Sequence, residues 1–156
     1  MNDPEYIILH HSFTKDGEKK DWDAIREYHI KTNGWNDIGY HYGIELYDGR
    51  LTIMVGRRES LAGAHTKELG MNSRSIGICV VGNYDEAPPP LANLDLLAYL
   101  CVRIMRDYGI TPDRVIGHRD VGLMAGFDWK KGQYKTCPGR LFSVDAFRKM
   151  LKGVSV

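Results

Sequence analysis

Two histidines, one more histidine far downstream and a lone cysteine are the residues best suited to chemistry in this chain. His10 and His11 close the apolar run Tyr6-Ile7-Ile8-Leu9, and His118 closes a second short apolar run, Arg114 to Gly117. Cys137 stands in the polar turn Lys135-Thr136-Cys137-Pro138-Gly139. Strand ends that meet at one edge of a sheet can bring such side chains together across a long stretch of sequence. Two imidazoles and a thiolate form a three-ligand set for Zn²⁺ that leaves one position open for water, as a catalytic site requires. Magnesium and calcium favour all-oxygen shells, so the donor set points to zinc. Successive side chains on a strand face opposite ways, so only one of His10 and His11 can belong to the set.

The same residues have plainer readings one at a time. A single histidine at a strand end is usually structural, and Lys135 alone reads as a solvated loop charge. Tyr40 and Tyr42 read as strand aromatics that pack. His29 falls on the apolar side of a helix, and Arg119 reads as structural. Cys79 and Cys101 lie in apolar runs, where a thiol behaves as a small hydrophobe. Three widely spaced cysteines do not make a disulfide framework.

The elements that must position these residues can be read from periodicity and turn chemistry. Tyr6 to His10 is a strand. A helix is predicted from about Trp22 to Lys31, with Asp21 as its N-cap, Trp22, Ile25 and His29 on one face, and Asn33-Gly34 as the stop. Tyr40–Leu46 and Leu51–Val55 flank Asp48-Gly49, a strong hairpin signal. Ser75 to Val81 is continuously apolar and reads as a buried central strand. Leu91 to Tyr108 carries Leu94, Leu97, Cys101, Ile104 and Met105 at helical spacing and ends at Gly109. Ser143 caps a last helix bearing Val144, Phe147 and Leu151. Interleaved strands and helices with one hairpin predict an α/β fold, a central mixed β-sheet flanked by helices.

The chain has 156 residues, 43% hydrophobic, which suits a single domain over residues 1–156. Twenty-one basic against twenty acidic residues give a net charge of +1, which argues against nucleic acid as a partner. No apolar segment is long enough for a signal peptide or a membrane span. A cytoplasmic product without stable membrane association, and a monomer, is therefore expected.

Seven motifs, in order, identify a resemblance that covers residues 6 to 151. They are Ile8-Leu9-His10-His11-Ser12, Gly39-Tyr40-His41-Tyr42, Gly63-Ala64-His65, Asn72 with Ser75-Ile76-Gly77-Ile78, Val81-Gly82-Asn83-Tyr84, Gly117-His118-Arg119-Asp120-Val121 and Lys135-Thr136-Cys137-Pro138-Gly139. With them the chain resembles the zinc-dependent N-acetylmuramoyl-L-alanine amidases, which share a fold with peptidoglycan recognition proteins and amidase-type phage lysozymes. The resemblance implies His10, His118 and Cys137 as zinc ligands, Tyr40 beside the metal-bound water, and Lys135 as a basic residue near the third ligand. It places His65 on the groove wall, and His65, Asn72 and Trp129 are expected to bind substrate. Peptidoglycan, glycan strand plus stem peptide, is the partner it implies.

In that chemistry zinc lowers the pKa of a bound water toward ~7 and polarises the lactyl amide carbonyl. Lys135 would stabilise the oxyanion. Tyr40, with a reference pKa of about 10, suits orienting water or assisting the leaving amine better than acting as a free base. Two departures stand out. Cys79 occupies the position where one branch of the family carries a glutamate base. The glycine-rich segment Gly122 to Gly132, with Phe127 and Trp129, replaces a short turn between the second and third ligands; it is expected to border the groove and contact the sugar or peptide stem, the alternative being a loop that folds back and buries its own aromatics. The implied role is a phage or prophage endolysin; the alternatives are a cytoplasmic muropeptide-recycling amidase and a non-catalytic peptidoglycan-binding module. Relatives of the binding kind lack the third ligand, which Cys137 supplies here. A purely structural zinc site would call for a fourth ligand.

Overall fold

The computed structural model of the chain describes residues 1–14 and 21–154. Its centre is a five-stranded sheet of β1 (Tyr6–His11), β2 (Tyr42–Tyr47), β3 (Arg50–Val55), β4 (Ser75–Val80) and β5 (Val115–Gly117), in spatial order β3-β2-β4-β1-β5. Only the β2–β3 pair is antiparallel; β4 runs parallel to both β1 and β2, and β1 parallel to β5. The mixed sheet is the one expected, with Ser75–Val80 at its centre and buried throughout. The Asp48-Gly49 turn closes the hairpin with both residues at positive φ, 52° and 79°, the twist a two-residue hairpin loop favours.

One face of the sheet carries the main core. Ile7, Leu9, Ile44, Ile76, Ile78 and Val80 alternate onto it and meet Leu97, Cys101 and Ile104 of α2 (Leu91–Tyr108) and Phe147 and Leu151 of α4 (Val144–Lys152). The caps are those the sequence predicts. Gly109 ends α2 at φ 67° with its N–H on Met105 O, and Ser143 Oγ accepts from Ala146 N at 3.2 Å. Among the described residues no helix is long and apolar enough to cross a membrane.

The other face is covered by α1 (Asp21–Lys31), whose Trp22 packs with Ile38 and Cys79 beside Ile25 and Tyr40. Asp21 begins α1 as a helical residue, where an N-cap was expected. Its amide and that of Trp22 donate to Glu45 of β2, at 2.7 Å to Oε1 and 3.0 Å to Oε2. The first strand of the hairpin starts at Tyr42, two residues later than expected. The cause is His41, whose Nδ1 accepts the Gly77 N–H at 3.0 Å. A side chain thus replaces a ladder bond. After β5 the chain turns at once into α3 (His118–Met124), where Asp120 Oδ2 accepts the Gly117 N–H at 2.7 Å. The segment from Gly122, expected as a loop, therefore begins inside a helix.

Candidate metal centre and cleft

Parallel pairing of β1 with β5 brings His10 and His118 to the same edge of the sheet. Cys137 reaches that edge because Arg119 holds its turn. The Arg119 N–H donates to Cys137 O at 2.8 Å, and its guanidinium donates to Phe142 O at 2.7 Å and to Gly139 O. Arg119 is structural, as the sequence suggests. One donor atom each from His10, His118 and Cys137 lies within 4.8 Å of the others, and among the described residues no other group of three or more potential metal ligands forms. Cys137 Sγ is 3.6 Å from His10 Nδ1. His11 points away from the cluster, and its Nδ1 accepts the Tyr84 N–H at 3.1 Å.

The electrostatics of the three fit a soft cation. Burial, with His118, His65 and Lys135 nearby, holds His10 well below the usual imidazole value. Burial and the Lys135 cation bring His118 down to about 4 against the opposing pull of Glu68. Both rings are neutral near pH 7 and offer lone pairs. Burial pushes the Cys137 thiol up to about 12, although the His11 backbone N–H, Lys135 and Arg119 all favour its anion. Such a thiol keeps its proton until a metal ion displaces it. Two imidazoles and a thiol displaced in this way match what zinc takes.

The far nitrogen of His10 is held by an inner loop. His10 Nε2 lies 2.9 Å from His65 Nδ1 and 3.4 Å from Thr66 Oγ1. His65 Nε2 is 3.5 Å from Ser75 Oγ, which donates onward to Met71 O at 2.7 Å. A Cβ on Gly77 would sit 2.5 Å from the His65 ring, which is why that strand position carries no side chain. Asn72 Oδ1 accepts from the His65 and Thr66 amides, both at 2.8 Å. Asn72, expected to bind substrate, thus fastens the loop and is not among the residues lining the cleft.

A cleft of about 450 Å³ opens over the cluster, walled by Phe13, Trp35, Tyr40, His65, Lys135 and Thr136. Phe13 is exposed and at φ 61°, a strained value for a bulky residue. The Tyr40 ring stands 5.1 Å from that of His10. Burial drives its pKa well above 10, so Tyr40 is a neutral donor at working pH. Cys79 lies beneath the site as a buried thiol with its pKa pushed well up by burial. It is no substitute for a carboxylate base.

Trp129 does not line the cleft. Its ring lies against the Arg119 guanidinium at 4.5 Å, where it backs the clamp on the Cys137 turn. Sequence reasoning missed Glu68 and Tyr134 entirely, although Tyr134 Oη is 3.1 Å from His118 Nε2. The only signal available was that Tyr134 immediately precedes Lys135 in the cysteine motif. Nothing in spacing links it to Glu68.

A family model described as N-acetylmuramoyl-L-alanine amidase matches residues 1–140. The endolysin of Klebsiella phage KP32 is 36% identical over 141 residues, covering 83% of this chain and 88% of that protein. Among solved structures, the N-acetylmuramoyl-L-alanine amidase LysC from Clostridium intestinale URNW superposes with a TM-score of 0.76 at 30% identity, over 97% of this chain and 87% of that one. Drosophila PGRP-LB does so with 0.70 at 30% identity, over 92% and 79%.

Proposed function

The chain belongs to the N-acetylmuramoyl-L-alanine amidase family, and from that membership we propose a zinc-dependent hydrolase. It cuts the amide between N-acetylmuramic acid and L-alanine in bacterial peptidoglycan. The observation that carries this reading is the convergence of His10, His118 and Cys137 within 4.8 Å of one another at the floor of an open cleft. His10 and His118 would hold the ion through neutral imidazoles and Cys137 as the thiolate. When bound, the ion would lower the pKa of a water toward ~7 and polarise the scissile carbonyl.

The chain's own residues do the rest. Lys135 projects at the cleft wall, where its ammonium can meet negative charge as it develops on the amide oxygen. Tyr40 keeps its proton, so it orients water and hydrogen-bonds to the leaving amine as a donor. His65 lines the cleft, but its Nδ1 is committed to His10, which favours positioning over substrate contact.

The similarity to phage endolysins supports an endolysin, made in the cytoplasm of a host cell and acting on the wall after release. Residues 1–156 serve on this reading as one catalytic domain. The test is to incubate purified protein with peptidoglycan, with and without a chelator and with zinc restored. New L-alanine amino groups without new reducing ends, lost on chelation and regained with zinc, are the expected result. New reducing ends would mean a glycosidase and would end the proposal.

A further inference from the structure

We propose that Asp85 is a positioning residue whose carboxylate grips the Cys137 turn on both flanks and so sets the sulfur against His10 and His118. The inference rests on the metal reading above and adds a residue that is neither a ligand nor part of the cleft lining.

The third ligand lacks the support the other two share. His10 lies in β1 and His118 directly follows β5, so the parallel ladder between those strands fixes their spacing. Cys137 belongs to no strand or helix and sits in a tight turn, closed by the Gly139 N–H on Thr136 O at 2.8 Å. Arg119 ties that turn to α3 through the carbonyls of Cys137, Gly139 and Phe142. Anchors from one element alone let a turn pivot; a second attachment removes that freedom.

Asp85 supplies it from the turn that follows the central strand. Its Oδ2 accepts from Thr136 Oγ1 at 2.9 Å, and its Oδ1 accepts the Arg140 N–H at 2.8 Å. A backbone amide only donates and a carboxylate accepts both bonds, so the atom types settle their direction. The two partners stand one residue before and three residues after Cys137, which makes the carboxylate a clasp across the turn. Its own turn is held in place as well. The Asp85 N–H donates to Asn83 Oδ1 at 3.2 Å, while Tyr84 donates its N–H to His11 Nδ1 at 3.1 Å and accepts the Leu141 N–H at 2.8 Å. A Cβ on Gly139 would stand 2.5 Å from the Tyr84 carbonyl carbon, so the two turns meet backbone to backbone. Because β4 pairs with β1, with His10 opposite Cys79, Asp85 refers the sulfur to the same sheet that carries the histidines.

Three measurements on Asp85→Ala test this. Zinc affinity is read by competition with a chromophoric chelator. The sulfur-to-cobalt charge-transfer band of cobalt-loaded protein reports the bond to Cys137. Alkylation by iodoacetamide, mapped by peptide mass spectrometry, reports the turn in metal-free protein, since Cys137 is partly exposed and Cys79 and Cys101 are buried. The variant should bind zinc about tenfold more weakly, the low end for a lost outer partner because Asp85 reaches the sulfur through the backbone. Its cobalt band should weaken, and Cys137 should alkylate severalfold faster. Asp85→Asn keeps an oxygen for the Arg140 N–H and offers an N–H to Thr136 Oγ1, so it should restore all three readings. Thr136→Val opens one arm of the clasp and should give a smaller loss in the same direction. A role confined to folding would lower the urea midpoint of Asp85→Ala and leave zinc affinity and the cobalt band parental; that result overturns the proposal. Asp85→Asn losing as much as Asp85→Ala would overturn it too, because charge and not the grip would be at work. If the parent binds neither zinc nor cobalt, the metal reading fails, while equal or unequal alkylation rates still decide whether Asp85 holds Cys137.

Discussion

His65 Nδ1 meets His10 Nε2 at 2.9 Å inside the protein, so a histidine outside the ligand cluster sets which nitrogen of His10 faces Cys137. With Nε2 carrying the proton that bridges to His65, Nδ1 is the lone-pair donor, 3.6 Å from the sulfur. Replacing His65 with alanine removes the acceptor and opens space beside Gly77. Zinc affinity should fall about 10–100-fold, as expected when an outer partner of a ligating histidine is lost. Asn72→Ala, which acts only through the loop backbone, should cost less. Isothermal titration of both variants checks the order, and equal losses would mean that loop geometry, and not the histidine pair, is what matters.

Lys135 tests the other half of the site, because it lines the cleft without holding any ligand in place. Lys135→Ala should lower kcat by on the order of 100-fold, the usual cost of removing one stabiliser of developing negative charge. KM and bound zinc should stay near parental values. Initial rates of amine release from peptidoglycan, with metal content measured on the same samples, separate these effects. A kcat within twofold of the parent would remove Lys135 from the chemistry.

Why some of this was legible and some was not follows from how each residue is specified. His10, His118 and Cys137 could be nominated because each sits at a boundary that the local pattern marks: two strand ends and a Cys-Pro-Gly turn. The sheet and its hairpin were readable for the same reason, since alternation and Asp48-Gly49 are local signals. Glu45 capping α1 and Tyr134 meeting His118 are contacts across the fold, and no periodicity encodes them. Trp129 reads as binding surface because it is an aromatic in a glycine-rich stretch; only the fold shows its ring packed against Arg119. Asn72 was picked out by its motif, but the motif reflects two backbone amides needing an acceptor.

The histidines also make the metal-free protein acid-sensitive. All six have pKa values lowered in the folded state, in each case first by burial. His41 shows the cause most clearly: its Nδ1 must accept from Gly77 N–H, which a protonated ring cannot do. Folded values below the unfolded value of about 6.5 mean that stability is full above that pH. As pH falls further, the unfolded chain takes up protons that the fold refuses. Each such proton lowers stability by about 1.4 kcal/mol per pH unit until the folded pKa is reached. For His118 that limit is about 4. Urea midpoints of the metal-free protein should therefore drop steadily from pH 7 to pH 5, and His41→Gln should show a shallower drop than the parent. A flat profile would contradict the neutral, buried state of these rings.

Glu45 offers the sharpest test of how the fold supports the cleft. It is fully buried on β2, and its two oxygens accept the amides of Asp21 and Trp22, the first two residues of α1. A carboxylate there satisfies donors that a helix start leaves open and sits at the positive end of the helix dipole. Hydrogen bonds to charged groups contribute about 1.5–3 kcal/mol each, and amides left buried without partners cost a comparable amount. Glu45→Ala should therefore destabilise the protein by on the order of 3 kcal/mol, read as a lower urea midpoint with an unchanged slope. Glu45→Gln keeps one acceptor oxygen and should lose roughly half as much. Because α1 carries Trp22 against Cys79 and presents His29, whose Nδ1 accepts from Gly39 N at 2.9 Å, the loosening should reach Tyr40. Proteolysis of the alanine variant should then begin in α1, at a protease concentration that leaves the parent intact. Cleavage starting in α4 instead, on the far side of the sheet, would show that Glu45 stabilises the whole fold without specifically holding α1.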